Sequence, residues 1–174
     1  MSREFAITEP DVRLVWMLPA LATLAVLVGI ALLAAQEPHA WVALPVAIAA
    51  IAGLALILRR RRVSIDAGVL TIAAGLHTRH VALADLDLDK ARILDLREHG
   101  ELRPLVKVFG TRVPGLAMGH FRLRDRRSAF VLVTDRSRVL VLPGKTGTKH
   151  AAKTLLLSLQ QPQALLDAAR DART

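Results

Sequence analysis

Asp85, Asp87 and Asp89 place three carboxylates at alternate positions, as the opening of a calcium loop does. Such a loop would continue with Gly at position 90 and Glu at 96, where this chain has Lys90 and Leu96. Strand alternation explains the run better, with the carboxylates on a wet face and Leu86 and Leu88 inside. His77 and His80 have metal-like spacing, yet residues three apart on a strand point to opposite faces and cannot share one ion. Gly144-Lys145-Thr146 follows an apolar strand as a phosphate loop would, but the required earlier glycine is Val139. Ser128, Ser137 and Ser158 lie in strand or turn patterns, and no G-x-S-x-G occurs. The chain has no cysteine, which removes disulfides, zinc–thiolate sites and thiol catalysis. No catalytic, cofactor-binding or metal-ligating residue is therefore assigned, and the expectation is a chain that is not an enzyme and needs no cofactor.

Arginines remain. Arg59, Arg60, Arg61 and Arg62 form one cluster, and Arg122, Arg124, Arg126 and Arg127 a second. Each cation held near an anionic bilayer surface contributes about 1 kcal/mol, so both clusters are candidate contacts for anionic lipid. The first also reads as a topology signal and the second as a solvated turn. Aromatic residues make up only 3% of the chain, too few for the stacking platforms of single-stranded nucleic acid binders, so no nucleic acid partner is expected.

The elements that must carry these groups divide the chain in two. Residues 1–58 hold two Arg and four acids, and residues 59–174 hold 22 Lys/Arg and 11 Asp/Glu, leaving net charges of −2 and +11. Leu14–Ala35 and Ala40–Leu58 are uncharged throughout and long enough, at about 33 and 28 Å as helices, to read as membrane spans. Four residues join them, and Trp16 and Trp41 lie near their starts, a common interfacial position. Arg59–Arg62 follows the second span, which by the positive-inside rule places both termini in the cytoplasm. The expected organisation is a cytoplasmic N-terminal segment, 1–13; a transmembrane hairpin, 14–58, with spans 14–35 and 40–58; and a cytoplasmic domain, 59–174.

Beyond Arg62 the apolar runs become short and alternate. Val63–Ile65, Val69–Ala73, Arg79–Leu83, Leu105–Phe109, His120–Leu123, Ala129–Thr134, Val139–Leu142 and Leu155–Leu159 read as strands, and Leu86–Leu96 continues the alternation. Gly110–Gly119, with three Gly and one Pro, reads as a loop. Pro162–Ala172 reads as an amphipathic helix with Leu165, Leu166 and Ala169 on one face. Strands followed by one helix make a small barrel or sandwich with a helical cap.

Thr111-Arg112-Val113-Pro114-Gly115, then Gly119-x-Phe121-Arg122-Leu123, then Val133-Thr134-Asp135-x-Ser137-Arg138-Val139 resembles the bacterial pleckstrin-homology-like (bacterial PH) domain family. Leu157–Leu166 is similar to that family's closing strand and helix entry. The resemblance covers roughly Arg62–Arg173 and implies a bent barrel of about seven antiparallel strands, closed at one end by the C-terminal helix. Members often follow a pair of membrane spans. Gly144–Lys153 departs from the pattern as an insertion before the last strand and leaves the strand order there open.

The function implied is a membrane-anchored, non-catalytic interaction or scaffold module at the inner face of a bacterial plasma membrane. Its partners would be the lipid bilayer and a protein, or a second copy of itself. The alternatives are anionic-lipid sensing by the basic domain, and an accessory subunit of a membrane enzyme or that enzyme itself.

Overall fold

The computed structural model describes residues 3–10, 20, 21, 23–31, 43–145 and 153–172. Ten strands form two sheets. The first has the order β1 (Arg3–Phe5), β2 (Arg61–Asp66), β3 (Val69–Ala74) and β4 (His77–Ala82), all antiparallel. The second is built from β5 (Arg92–Leu94), β6 (Pro104–Val113), β7 (Leu116–Leu123), β8 (Ser128–Val133), β9 (Val139–Leu142) and β10 (Lys153–Ser158). Its order is β5-β9-β10-β8-β7-β6, antiparallel except for the parallel pair β8–β10.

Strand alternation sends one set of side chains between the sheets. Val63, Ile65, Leu70, Ile72 and Val81 from the first sheet meet Leu116, Met118, Phe130, Leu132, Leu140 and Leu155 from the second. The opposite face of the second sheet carries its own apolar cluster, Phe121, Leu123, Val131, Val139 and Leu156. The loop between β5 and β6 covers it with Leu96 and Leu102. Arg103 clips that loop together, its Nε and Nη2 donating to the carbonyls of Leu96 and Arg97, both at 3.0 Å. Covering both faces explains why β8 and β9 are almost continuously apolar.

Two helices belong to the described part in full: α1 (Ala43–Arg59) and α2 (Pro162–Asp171). Pro162 opens α2, where its missing N–H costs nothing, and Leu165, Leu166, Ala168 and Ala169 pack into the inter-sheet core beside Leu86 and Leu88. The expected C-terminal cap is present.

The N-terminal segment, read as lying outside the domain, joins it instead. Phe5 pairs with Val63 in the first sheet, and Ile7 bridges to Leu159 next to the second. The N–H of Thr8 donates to the carbonyl of Ser158, and the hydroxyl of Thr134 to the carbonyl of Thr8. Residues 3–8 thus stitch the sheets along one side, leaving the β4 and β6 edges unpaired with each other.

Several expectations are corrected. The transmembrane hairpin is not found: among the described residues no helix is long and apolar enough to cross a membrane. α1 has 17 residues, about 26 Å, against about 30 Å of hydrocarbon. Residues 20, 21 and 23–31 of the first stretch are helical, and its remaining residues lie outside the described ones. The multi-pass location with both termini cytoplasmic rested on those spans and falls with them. The fold class is corrected likewise, to a mainly β structure of two sheets with a few short helices. Leu86–Leu96 is not one strand: two 3-10 turns, Leu83–Asp85 and Leu88–Lys90, precede the short β5. Asp87 accepts from the N–H of Lys90 and pairs with its ammonium at 2.8 Å, so it caps a turn. Gly110–Gly119 is not a loop but the turn half of a hairpin, β6–β7. The insertion at 144–153 lies mainly outside the described residues. Its described residues are Gly144, bridged to Leu86, Lys145, whose N–H donates to the carbonyl of Asp85, and Lys153, which opens β10.

Candidate functional site

On the side that β1 does not stitch, the two sheets end in the edge strands β4 and β6. On the first sheet the registers align Arg61 with Ala74 and Ala74 with His77; the next inward row is Val63, Ile72 and Arg79. Val63, Ile72 and Ala74 are buried, so these rows face the core. Arg61, His77 and Arg79 therefore hold core-facing positions at the end of the sheet that adjoins α1. Arg60 accepts there from the N–H of Gly75, and a side chain at Gly75 would touch Ile57 and Met118.

From the second sheet His120, on the same face of β7 as Met118, turns toward them. Four rings run in series. His77 stacks on Phe109 with centroids 4.5 Å apart, lies 6.2 Å from His120, and His120 meets the edge of Phe130 at 5.0 Å. The Arg79 guanidinium stands 5.9 Å from the Phe130 centroid. His80, on the outer face of β4, bonds Thr71 through Nδ1, so the two histidines part to opposite faces.

A cleft of about 310 Å³ opens beside these rings, lined by Leu76, His77, Lys107, Phe109 and Met118 among others. No acidic residue lines it. Arg61 Nη1 and Arg79 Nε are buried and have no hydrogen-bond partner among the described residues. Burial lowers the pKa of both guanidinium groups; for Arg61 the charge of Glu9 opposes that in part, and for Arg79 no opposing cause is present. Both remain cations at neutral pH. The outer rim is apolar: Leu76 is 71% exposed, Val108 65% and Phe109 64%, with Leu56, Leu105 and Val106 exposed nearby in sequence or strand.

A family model described as the bacterial PH domain matches residues 61–169. The chain belongs to the bacterial PH domain family. Neither the curated proteins nor the solved structures provide a match. The matched span runs from β2 into α2, so the PH domain here carries an added strand, β1, and a preceding helix, α1. PH domains are in general non-catalytic interaction modules that bind lipids or proteins.

Within this PH domain the first arginine cluster is dispersed. Arg59 ends α1, Arg60 is exposed, Arg61 faces inward, and Arg62 faces outward in an ion pair with Glu4 at 2.8 Å. The second cluster stays together. Arg122 lies near the end of β7, and Arg124, Arg126 and Arg127 occupy the turn into β8, all four exposed. Arg127 is paired with Asp125, and Arg126 has a positive φ of 67°. Arg122 lies four residues along β7 from Met118, on the order of 13 Å, so the clusters sit at different levels along the strands. The residues missed were His77, Arg79, His120 and Phe130. For His77 and Arg79 the signal was parity: Val81 is core-facing, and residues two and four before it share its face.

Proposed function

We propose that this PH domain is a non-catalytic interaction module that takes a partner polypeptide along the free edge of β6. The observation that carries this reading is β6 itself. Among the described residues it ends its sheet, and Leu105, Val106, Val108 and Phe109 are all exposed on it. An edge strand presents unpaired N–H and C=O groups, and natural edges are usually blunted by charge or proline. Here Pro104 stands only at the start and Lys107 alone interrupts the apolar run. Such an edge suits β-augmentation, in which main-chain hydrogen bonds supply affinity and alternate side chains supply specificity.

Charge selects the partner's chemistry. The region from 59 to 174 is strongly basic, and Arg103, Lys107 and Arg112 flank or lie on β6. A second copy would meet like charge, whereas an extended segment with alternating apolar and acidic residues fits both the strand and the field. A fluorescein-labelled peptide of alternating Val and Glu should bind the full chain. Val108→Glu should weaken it at least tenfold, about 1.4 kcal/mol. Equal affinity for both proteins would refute the β6 site.

Anionic lipid is a second reading, favoured by the β7–β8 turn. Arg122, Arg124 and Arg126 are exposed there and make no ion pair among the described residues. At about 1 kcal/mol per cation, reversing Arg124, Arg126 and Arg127 to Glu should lower affinity for phosphatidylserine-containing vesicles at least a hundredfold at low salt. Vesicle flotation that is unchanged by the triple substitution would remove lipid from that turn.

A further inference from the structure

Arg61 and Arg79 present a problem that the β6 edge does not address. Each holds a core-facing strand position, each buries a guanidinium nitrogen without a hydrogen-bond partner among the described residues, and neither has an ion pair there. A buried donor left unmade costs about 1–3 kcal/mol, and more where the group is charged. A purely structural arginine at such a place would be expected to find a carboxylate or a carbonyl. Glu9 acts on Arg61 through charge alone, and Arg79 has only the face of Phe130.

The register brings the two within range of each other. They lie two strands and one inward row apart, so their Cα atoms are separated by roughly 11–12 Å. Two arginine side chains pointing from the same face can close on a small ion in that gap. His77 stands on Arg79's own strand, two residues before it, and also lines the open cleft. His120 approaches His77 from the second sheet. Of these four residues only His77 lines the cleft, so the cleft is a way in toward the guanidinium groups and not the space between them.

We propose that this inward-facing group of Arg61, His77, Arg79 and His120 binds a phosphate monoester or inorganic phosphate, which enters past His77. Guanidinium groups give forked, charge-assisted hydrogen bonds to phosphate oxygens, and a tetrahedral anion can accept from several directions at once. Glu9 acts by charge on Arg61, and no acid does so on Arg79, which leaves Arg79 the less opposed of the two anchors. The four residues face the core, whereas the partner strand would lie outside β6; the cleft that leads past His77 is nevertheless bordered by Lys107, Val108 and Phe109 of β6.

The test uses thermal unfolding of the full chain with three probes: inorganic phosphate, glycerol phosphate, and vesicles of phosphatidic acid in phosphatidylcholine. A probe at a hundred times its Kd should raise the midpoint by roughly 5–10 °C. Response to the soluble probes identifies a free phosphate ligand; response to the vesicles alone identifies a lipid headgroup. Arg79→Met is expected to unfold no earlier than the wild type without ligand, because it removes a half-buried cation that has no ion pair among the described residues, and to lose the midpoint rise. A merely structural arginine would show the reverse, early unfolding with the rise intact. Should Arg79→Met not fold, Arg79→Lys, which keeps the charge but not the fork, should need at least tenfold more ligand for the same rise. No rise in the wild type with any probe, or an unchanged rise in the variants, overturns the proposal.

Discussion

Gly119→Ala is expected to unfold the PH domain at room temperature or leave it with little residual stability. Gly119 has a φ of +116°, a region that side-chain-bearing L-residues rarely adopt. A Cβ there would lie 2.6 Å from the Cα of Gly110 and collide with the carbonyl oxygen of Phe109. Gly110, its cross-strand partner, has φ +147° and meets β7 just as closely. Two backbones therefore touch just past the register shift between Lys107 and Phe109, and neither can retreat without breaking the β6–β7 ladder. Backbone strain alone costs about 1–3 kcal/mol, and the collision with main-chain atoms raises the total to about 4 kcal/mol or more. That is a large part of the 5–15 kcal/mol that holds a typical domain together. Gly68→Ala is the control: Gly68 also has positive φ, 75°, but open space where a Cβ would go, so its cost should stay near 1 kcal/mol. Urea unfolding of the two variants decides it, and a Gly119→Ala midpoint close to that of Gly68→Ala would show that the hairpin yields there.

The same glycines show where sequence reasoning reached and where it stopped. Three Gly and a Pro within 110–119 resemble a loop because glycine density normally marks one. Here two of them permit close strand contact, which only the pairing of 110 with 119 reveals. The regular strands were legible because burial on one face enforces alternation, as Val63 and Ile65 or Leu70 and Ile72 show. β1 was not legible, since three residues carry no period and its reason for being a strand is β2, almost 60 residues away. Leu86 and Leu88 were correctly read as buried, yet Leu86 lies between two 3-10 turns and Leu88 on the second, because alternate burial over so few residues does not specify a strand. The spans were read from the length of uncharged sequence, a quantity that does not fix where a helix begins.

The candidate site follows the same division. Consecutive arginines are conspicuous in a sequence, but adjacency on a strand sends neighbours to opposite faces, as Arg61 and Arg62 demonstrate. Arg61 and Arg79 share a face through two antiparallel registers, and no run of letters shows that. Family membership supports a binding module; the particular edge, cleft and buried cations come from the placement of these side chains.

Phe130→Ala should produce the other large effect, about 3–5 kcal/mol of lost stability. Phe130 is 0% exposed, lies at the centre of the inter-sheet core, and pairs across the ladders with His120 and Leu155. Its ring also stands T-shaped to His120 and beneath Arg79, so truncation opens a cavity under the charged group. Phe130→Leu separates the two roles. Leucine restores most of the apolar volume and should cost only about 1–2 kcal/mol. It offers no aromatic face, so Arg79 loses a contact that contributes about 0.5–2 kcal/mol and is free to leave its position. The leucine variant should therefore remain well folded while phosphate binds it several-fold more weakly, a split visible when urea unfolding and ligand titration are run on the same samples. A loss below 1 kcal/mol in Phe130→Ala would mean that the two sheets do not close on this ring, and the inward arrangement of Arg79 and His120 built on it would have to be abandoned.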